Sequence, residues 1–232
     1  MFWDQVAGVY DIFVNVINRK THKNLKAIVS DLIETDDVVL ECACGTGLLS
    51  AVIAKKCRRL TATDFSGKML MKAEKNCAAF QNITFAKADI TALAFPDCSF
   101  DKVVAGNVIH LLDNPLIALG ELNRVCKDGG MLIIPTYMNK DSKGKTSGFA
   151  ATVGKAGADF KRQFTVDSYR QFFLDAGYSD VQIILAEGRI PCAVAVMKKY
   201  VPDTVFKRFK RMDHGDMALF YPEMMAQELL KL

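Results

Sequence analysis

The sequence predicts an α/β fold: a doubly wound, mostly parallel seven-stranded sheet that ends in an antiparallel hairpin, with helices on both faces. Three observations carry this reading. From Asp37 onward, short apolar runs rich in β-branched residues alternate with stretches of helical periodicity. The first run, Val38-Val39-Leu40-Glu41, stops in a turn of small residues, Cys42-Ala43-Cys44-Gly45-Thr46-Gly47. The first three runs also close on or just before an acid: Glu41, Asp64 and Asp89.

Taken in order, residues 2 to 33 have the spacing of two amphipathic helices, with Phe2, Val6, Tyr10, Phe13, Val14 and Ile17 on one stripe. Leu25, Ile28, Val29, Leu32 and Ile33 form the second stripe. After the glycine turn, Leu48, Leu49, Val52 and Ile53 recur at helical spacing. Leu60 to Asp64 reads as the second strand. Ser66 is placed to cap a helix that buries Met69, Leu70, Ala73 and Cys77. Ile83 to Ala86 and Lys102 to Ala105 are the third and fourth strands. A helix from about Pro115 to Cys126 is expected to stop at Asp128-Gly129-Gly130, read as a C-cap, before the fifth strand at Met131 to Ile134. Thr165 caps a helix ended by Gly177. Val181 to Leu185 and Ala193 to Met197 then form the closing hairpin.

Two stretches fall outside the alternation. Residues 136–163 carry several glycines and more lysine and arginine than acid, and are expected to act as a lid. Residues 201–232 form a helical appendage to a domain of residues 1–200, in which residues 1–34 serve as a cap. Within the tail, Val205, Phe206, Phe209 and Met212 face away from Lys207, Arg208, Lys210 and Arg211. The expectation is that this stripe packs on its own domain or on a second copy, giving a homodimer; an anionic membrane is the alternative.

Composition excludes little but directs much. A net charge of +4 on 232 residues is too small to argue for nucleic acid. No apolar run is long enough to span a bilayer, and Met1-Phe2-Trp3-Asp4 does not open a signal peptide. Seven cysteines with no Cys-x-x-Cys pair suggest reduced, packed thiols in a cytoplasmic protein, and no metal is expected at Cys42-x-Cys44.

Open α/β sheets bind ligands at the carboxyl ends of their strands, where Glu41, Asp64, Asp89 and Asn107 all fall. The run acid-x-Ala-x-Gly-x-Gly from Glu41 to Gly47 is not the dinucleotide Gly-x-Gly-x-x-Gly. It resembles the first motif of class I S-adenosylmethionine-dependent methyltransferases, usually acid-x-Gly-x-Gly-x-Gly. Ala43 stands at the first glycine, and its backbone is expected to keep negative φ. Phe95-Pro96-Asp97-Cys98-Ser99-Phe100-Asp101 and Glu121 to Gly130 are similar to the group that includes quinone-biosynthesis and other small-molecule methyltransferases.

That resemblance covers roughly residues 25–199 and implies S-adenosylmethionine as cofactor, S-adenosylhomocysteine as product, and a small-molecule acceptor. It implies that Asp64 accepts from the ribose hydroxyls, Asp89 from the adenine amine, and that the Ile90 backbone meets a ring nitrogen. Phe65 and Met69 would flank the ring. Glu41 and main-chain groups near Ala43, Cys44, Gly45, Gly47 and Asn107 would hold the methionine end, and Tyr10 would close over the cofactor. If the acceptor must lose a proton, His110 is the candidate base, the other reading being a packed histidine beside Leu111 and Leu112; Tyr137 and Tyr10 are weaker candidates. The thiol of Cys44 could face the cleft or turn inert into the sheet. Two other functions stay open: an NAD(P)-dependent oxidoreductase, and a binding module that kept the pocket without catalysis. No Asn-Pro-Pro-aromatic run follows the fourth strand, which argues against a nucleic-acid amine as acceptor.

Overall fold

A computed structural model describes residues 18–138 and 161–199. The stripe from Phe2 to Ile17 with Tyr10, most of the expected lid, and the tail at 201–232 lie outside the described residues. The chain divides into two units, Met1–Tyr200 and Val201–Leu232.

Seven strands form one sheet: β1 (Val38–Cys42), β2 (Arg59–Asp64), β3 (Ile83–Lys87), β4 (Phe100–Ala105), β5 (Cys126–Tyr137), β6 (Gln182–Ala186) and β7 (Cys192–Lys198), in the order β3-β2-β1-β4-β5-β7-β6. The first five run parallel to one another. β7 inserts between β5 and β6, antiparallel to both, so the hairpin closes the sheet by folding its last strand inward.

Alternation along each strand supplies two cores. On one face Leu40, Val103, Leu132, Ile134, Ala193 and Ala195 meet α4 (Pro115–Val125) and α5 (Val166–Asp175) through Leu119, Leu122, Tyr169 and Phe173. On the other, Val39, Val104, Ile133 and Val194 meet α1 (Arg19–Asp31), α2 (Ser50–Ala54) and α3 (Gly67–Asn76) through Leu25, Val29, Ile53 and Leu70. Cys42 and Cys44 enter opposite cores, so they share no site.

The expected caps form where sequence places them. Ser66 accepts from the Met69 N–H at 3.2 Å. Thr165 and Ser168 make a reciprocal box at the start of α5, and Gly177 follows at φ +94°. Asp128-Gly129-Gly130 behaves differently from the C-cap expected of it. α4 passes straight into β5 at Cys126, whose ψ of 139° is already extended, and the glycines lie inside the strand. Register between β4 and β5 slips there, from Phe100↔Cys126 to Lys102↔Met131, which makes the three residues part of a bulge. Gly130 is required by contact: a Cβ would lie 2.7 Å from the Asp101 carbonyl oxygen. A bulge and a helix stop share the same glycine chemistry, so sequence alone does not separate them.

The insertion also begins later than expected, because Thr136 and Tyr137 still pair with Ala193 and Cys192. On its return, Arg162 donates from its main chain to the His110 carbonyl (3.1 Å) and from its guanidinium to that of Leu112 (2.9 Å). Lys161 reaches Asp113 at 3.1 Å.

Candidate active site

The glycine turn is built by the ends of β1 and β2. The Cys44 N–H donates to the Thr63 carbonyl at 2.9 Å, and Gly45 and Gly47 take φ of +57° and +85°. Asp64 ties the turn to the next helix: its two oxygens accept from the Gly45 and Ser66 N–H groups, both at 2.8 Å. A carboxylate fixed at both oxygens is pre-aimed, and a carboxylate is the acceptor that a diol needs.

Ala43 does not keep negative φ; it sits at +55°, the left-handed region. The turn dictates the conformation, and alanine accepts it at a cost of roughly 1–2 kcal/mol. The Ala43→Gly variant should therefore be more stable, by less than about 1 kcal/mol once the added freedom of the unfolded chain is subtracted. Urea midpoints check this; a less stable variant would show that the partly buried methyl outweighs the strain. Asn107 shares the conformation at φ +55°, which its side chain tolerates better.

Glu41 is 2% exposed, and Ser50 Oγ donates to its Oε2 at 2.5 Å. Burial, with the Asp64 charge adding to it and the Ser50 bond opposing, pushes its carboxyl up to about 8. It is therefore a neutral acid at pH 7 until a cation arrives. Ser50 and Thr63 are contributors the sequence reading passed over: Thr63 Oγ1 donates to the Glu41 carbonyl at 3.1 Å. Their signal was only their spacing from the acid.

Toward β3, Asp89 is exposed, with Oδ1 accepting from both the main chain and the hydroxyl of Thr91 (2.8 and 2.7 Å). Phe65 offers an open ring, 49% exposed, with Lys87 Nζ 5.7 Å from its centroid. Met69 and Ile90 are buried, so Phe65 is the side chain of that group with an accessible face. Cys44 is 6% exposed and packed in the α1–α2–α3 core, its thiol raised by burial and by the Glu41 and Asp64 charges. Only its main chain belongs to the turn.

Toward β4, the Asn107 N–H donates to the Pro135 carbonyl at 2.7 Å, and its Oδ1 receives the Cys192 thiol at 3.8 Å. His110 follows in a short 3₁₀ turn (Ile109–Leu111), 2% exposed, and burial lowers it to about 4. Its imidazole is neutral at pH 7, and it packs beside the equally buried Ile109.

These groups form a line across the sheet edge: an acid past β3, a clamped acid and an aromatic ring at the end of β2, a buried acid beneath an open glycine turn at β1, and a polar loop at β4. The residues fit S-adenosylmethionine. Space beside Gly45 is open where a Cβ would stand, and the acids match a ribose diol, an exocyclic amine and an ammonium. The sheet order and the acids along its edge are similar to those of class I S-adenosylmethionine-dependent methyltransferase domains. Residues 40–134 match the family Methyltransf_11, the methyltransferase domain. Among curated relatives, a demethylmenaquinone methyltransferase of Staphylococcus aureus is 31% identical over 136 residues, covering 56% of each chain. The chain thus spans just over half the length of the curated relatives it matches.

Among solved structures, N-methyltransferase NodS of Bradyrhizobium japonicum in complex with S-adenosylhomocysteine superposes with TM-score 0.58 at 17% identity, over 78% of this chain and 85% of that one. The [4+2]-cyclase SpnF superposes with TM-score 0.62 at 16% identity, over 77% and 81%. These likenesses concern the fold. The oxidoreductase alternative gains no support, since the family matched by residues 40–134 is a methyltransferase domain.

Proposed function

We propose that this chain transfers a methyl group from S-adenosylmethionine to a small-molecule acceptor of the reduced quinone class. The observation that carries it is the pairing of a clamped Asp64 with a buried Glu41 on either side of the Gly45 turn. The cofactor supplies a methyl on a sulfonium, already a good leaving group. The protein's task is alignment and exclusion of water, which supplies much of the rate. In this reading Asp64 holds the ribose, Asp89 and the Ile90 backbone the adenine against Phe65, and Glu41 with the main chain of residues 43–47 and Asn107 the amino-acid end. Tyr10 remains proposed as cofactor closure, and His110 is the rival to the acceptor base argued below.

The acceptor class rests on the S. aureus relative, whose name specifies demethylmenaquinone. No helix among the described residues is long and apolar enough to cross a membrane, and all seven cysteines are free thiols, which supports a cytoplasmic setting. We keep the tail as the proposed dimer contact. The likeness to SpnF favours one rival, a fold that serves chemistry other than transfer. A screen with methyl-labelled cofactor against reduced naphthoquinones, phenols, amines and thiols tests the proposal. Label in a reduced naphthoquinone is expected; cofactor binding with no labelled product from any class would support the rival.

A further inference from the structure

His22 and Tyr137 form a buried pair that the sequence reading did not assemble. Nε2 of His22, on the first turn of α1, lies 2.7 Å from the hydroxyl of Tyr137, the last residue of β5. The rings meet edge to face with centroids 5.9 Å apart, and the residues are 3% and 6% exposed. Nδ1 of His22 has no hydrogen-bond partner among the described residues. A buried polar atom left unsatisfied is costly, so a histidine kept there calls for a reason beyond packing.

Its position suggests one. The cofactor line runs from β1 toward β3, so an acceptor must approach the methyl from the β4–β5–β7 side. Tyr137 stands at that side. It pairs with Cys192, whose thiol donates to Asn107, and Asn107 in turn donates to Pro135 two residues before Tyr137. The helix bearing His22 is latched to the same region. Asn18 and Thr21 bond the Ile190 carbonyl at 3.1 and 3.0 Å, Asn18 accepts from the Ile190 N–H at 3.1 Å, and Asn24 bonds the Glu187 carbonyl at 2.9 Å. Gly188 leaves no room for a Cβ beneath Thr21. The imidazole is thus placed as firmly as the strand end it touches. Burial, helped by Lys26 one turn on, keeps it neutral, lowered to about 4.

We propose that Tyr137, backed by His22, is the proton-accepting station for the methyl acceptor. The inference rests on the methyltransferase reading above. As the acceptor atom forms its bond to the methyl carbon, the carbon–sulfur bond breaks and its electron pair goes to sulfur. The acceptor's proton passes to Tyr137 Oη while the phenolic proton passes to His22 Nε2; the short-lived imidazolium then returns its proton to Tyr137 Oη as that hydroxyl gives one up to solvent through the vacated acceptor site. Tyr137 is the catalytic residue in this scheme; His22 is a positioning residue and proton holder.

With three histidines in the chain, ¹⁵N-histidine NMR of the S-adenosylhomocysteine complex is readily assigned by difference with His22→Gln. The expected spectrum has the proton on Nδ1 and a bare Nε2 accepting from Tyr137; a protonated Nε2 overturns the proposal. Calorimetry with S-adenosylhomocysteine should give affinities within about twofold of wild type for Tyr137→Phe and His22→Gln. Loss of affinity in both would place the pair at the cofactor instead and overturn it. Methyl transfer to 1,4-naphthalenediol should fall about a hundredfold or more in kcat with the cofactor KM unchanged. Unchanged kcat would overturn the dyad and leave His110 as the base. A wild-type protein that binds S-adenosylhomocysteine yet leaves the diol untouched refutes the quinol reading, while the tautomer still decides the dyad.

Discussion

Replacing Glu41 with glutamine should flatten the pH dependence of stability. The wild-type carboxyl rises from an ordinary 4.5 to about 8 on folding. The native state therefore holds a proton that the unfolded chain has lost across that window. The sign follows: this contribution is fully present below about pH 4.5 and disappears as pH climbs through 8. At roughly 1.36 kcal/mol per pH unit, the wild type should lose on the order of 3–5 kcal/mol from this group between pH 5 and 8.5. Glutamine has no such proton and keeps an oxygen for Ser50. Denaturant midpoints of the two proteins should converge near pH 4.5 and separate progressively from about pH 5 to pH 8, with the variant the more stable at the upper end. Parallel profiles would mean that the carboxyl is hydrated and ordinary. The same substitution should cost cofactor affinity about ten- to hundredfold, because a charge-assisted bond of roughly 1.5–3 kcal/mol to the ammonium is lost. Stability is thereby set against function in one residue.

Asp64→Ala should weaken S-adenosylhomocysteine binding by about ten- to hundredfold or more, the largest effect of any single side chain in the pocket. The loss has two parts. The ribose loses its acceptor, and the Gly45 and Ser66 N–H groups lose the carboxylate that fixes the turn. Asp64→Asn retains one oxygen and should fall between the two proteins. The domain should still fold, since Asp64 is only partly buried at a strand end. A folded alanine variant with wild-type affinity would remove Asp64 from the site.

Periodicity made the sheet legible. Runs such as Val38–Leu40 and Lys102–Ala105 can be little else, and acids in register at their ends marked the ligand edge. What escaped was decided by contacts between distant residues. Nothing local says that β7 should insert beside β5, because that depends on which edge is apolar on both faces. The left-handed turn at Ala43 is imposed by β2 through Cys44 and Asp64. The direction of the Cys44 thiol follows from a two-residue alternation read through an irregular turn. His22 is a single polar residue on an amphipathic helix, and only the fold brings it to Tyr137, 115 positions away.

Calorimetric titration of the purified chain with S-adenosylhomocysteine, with NADH in parallel, tests the central claim most directly. One site for S-adenosylhomocysteine is expected, with about one proton released per ligand bound near pH 7 in wild type but not in Glu41→Gln, and no heat with NADH. Absence of S-adenosylhomocysteine binding by a folded protein would contradict it.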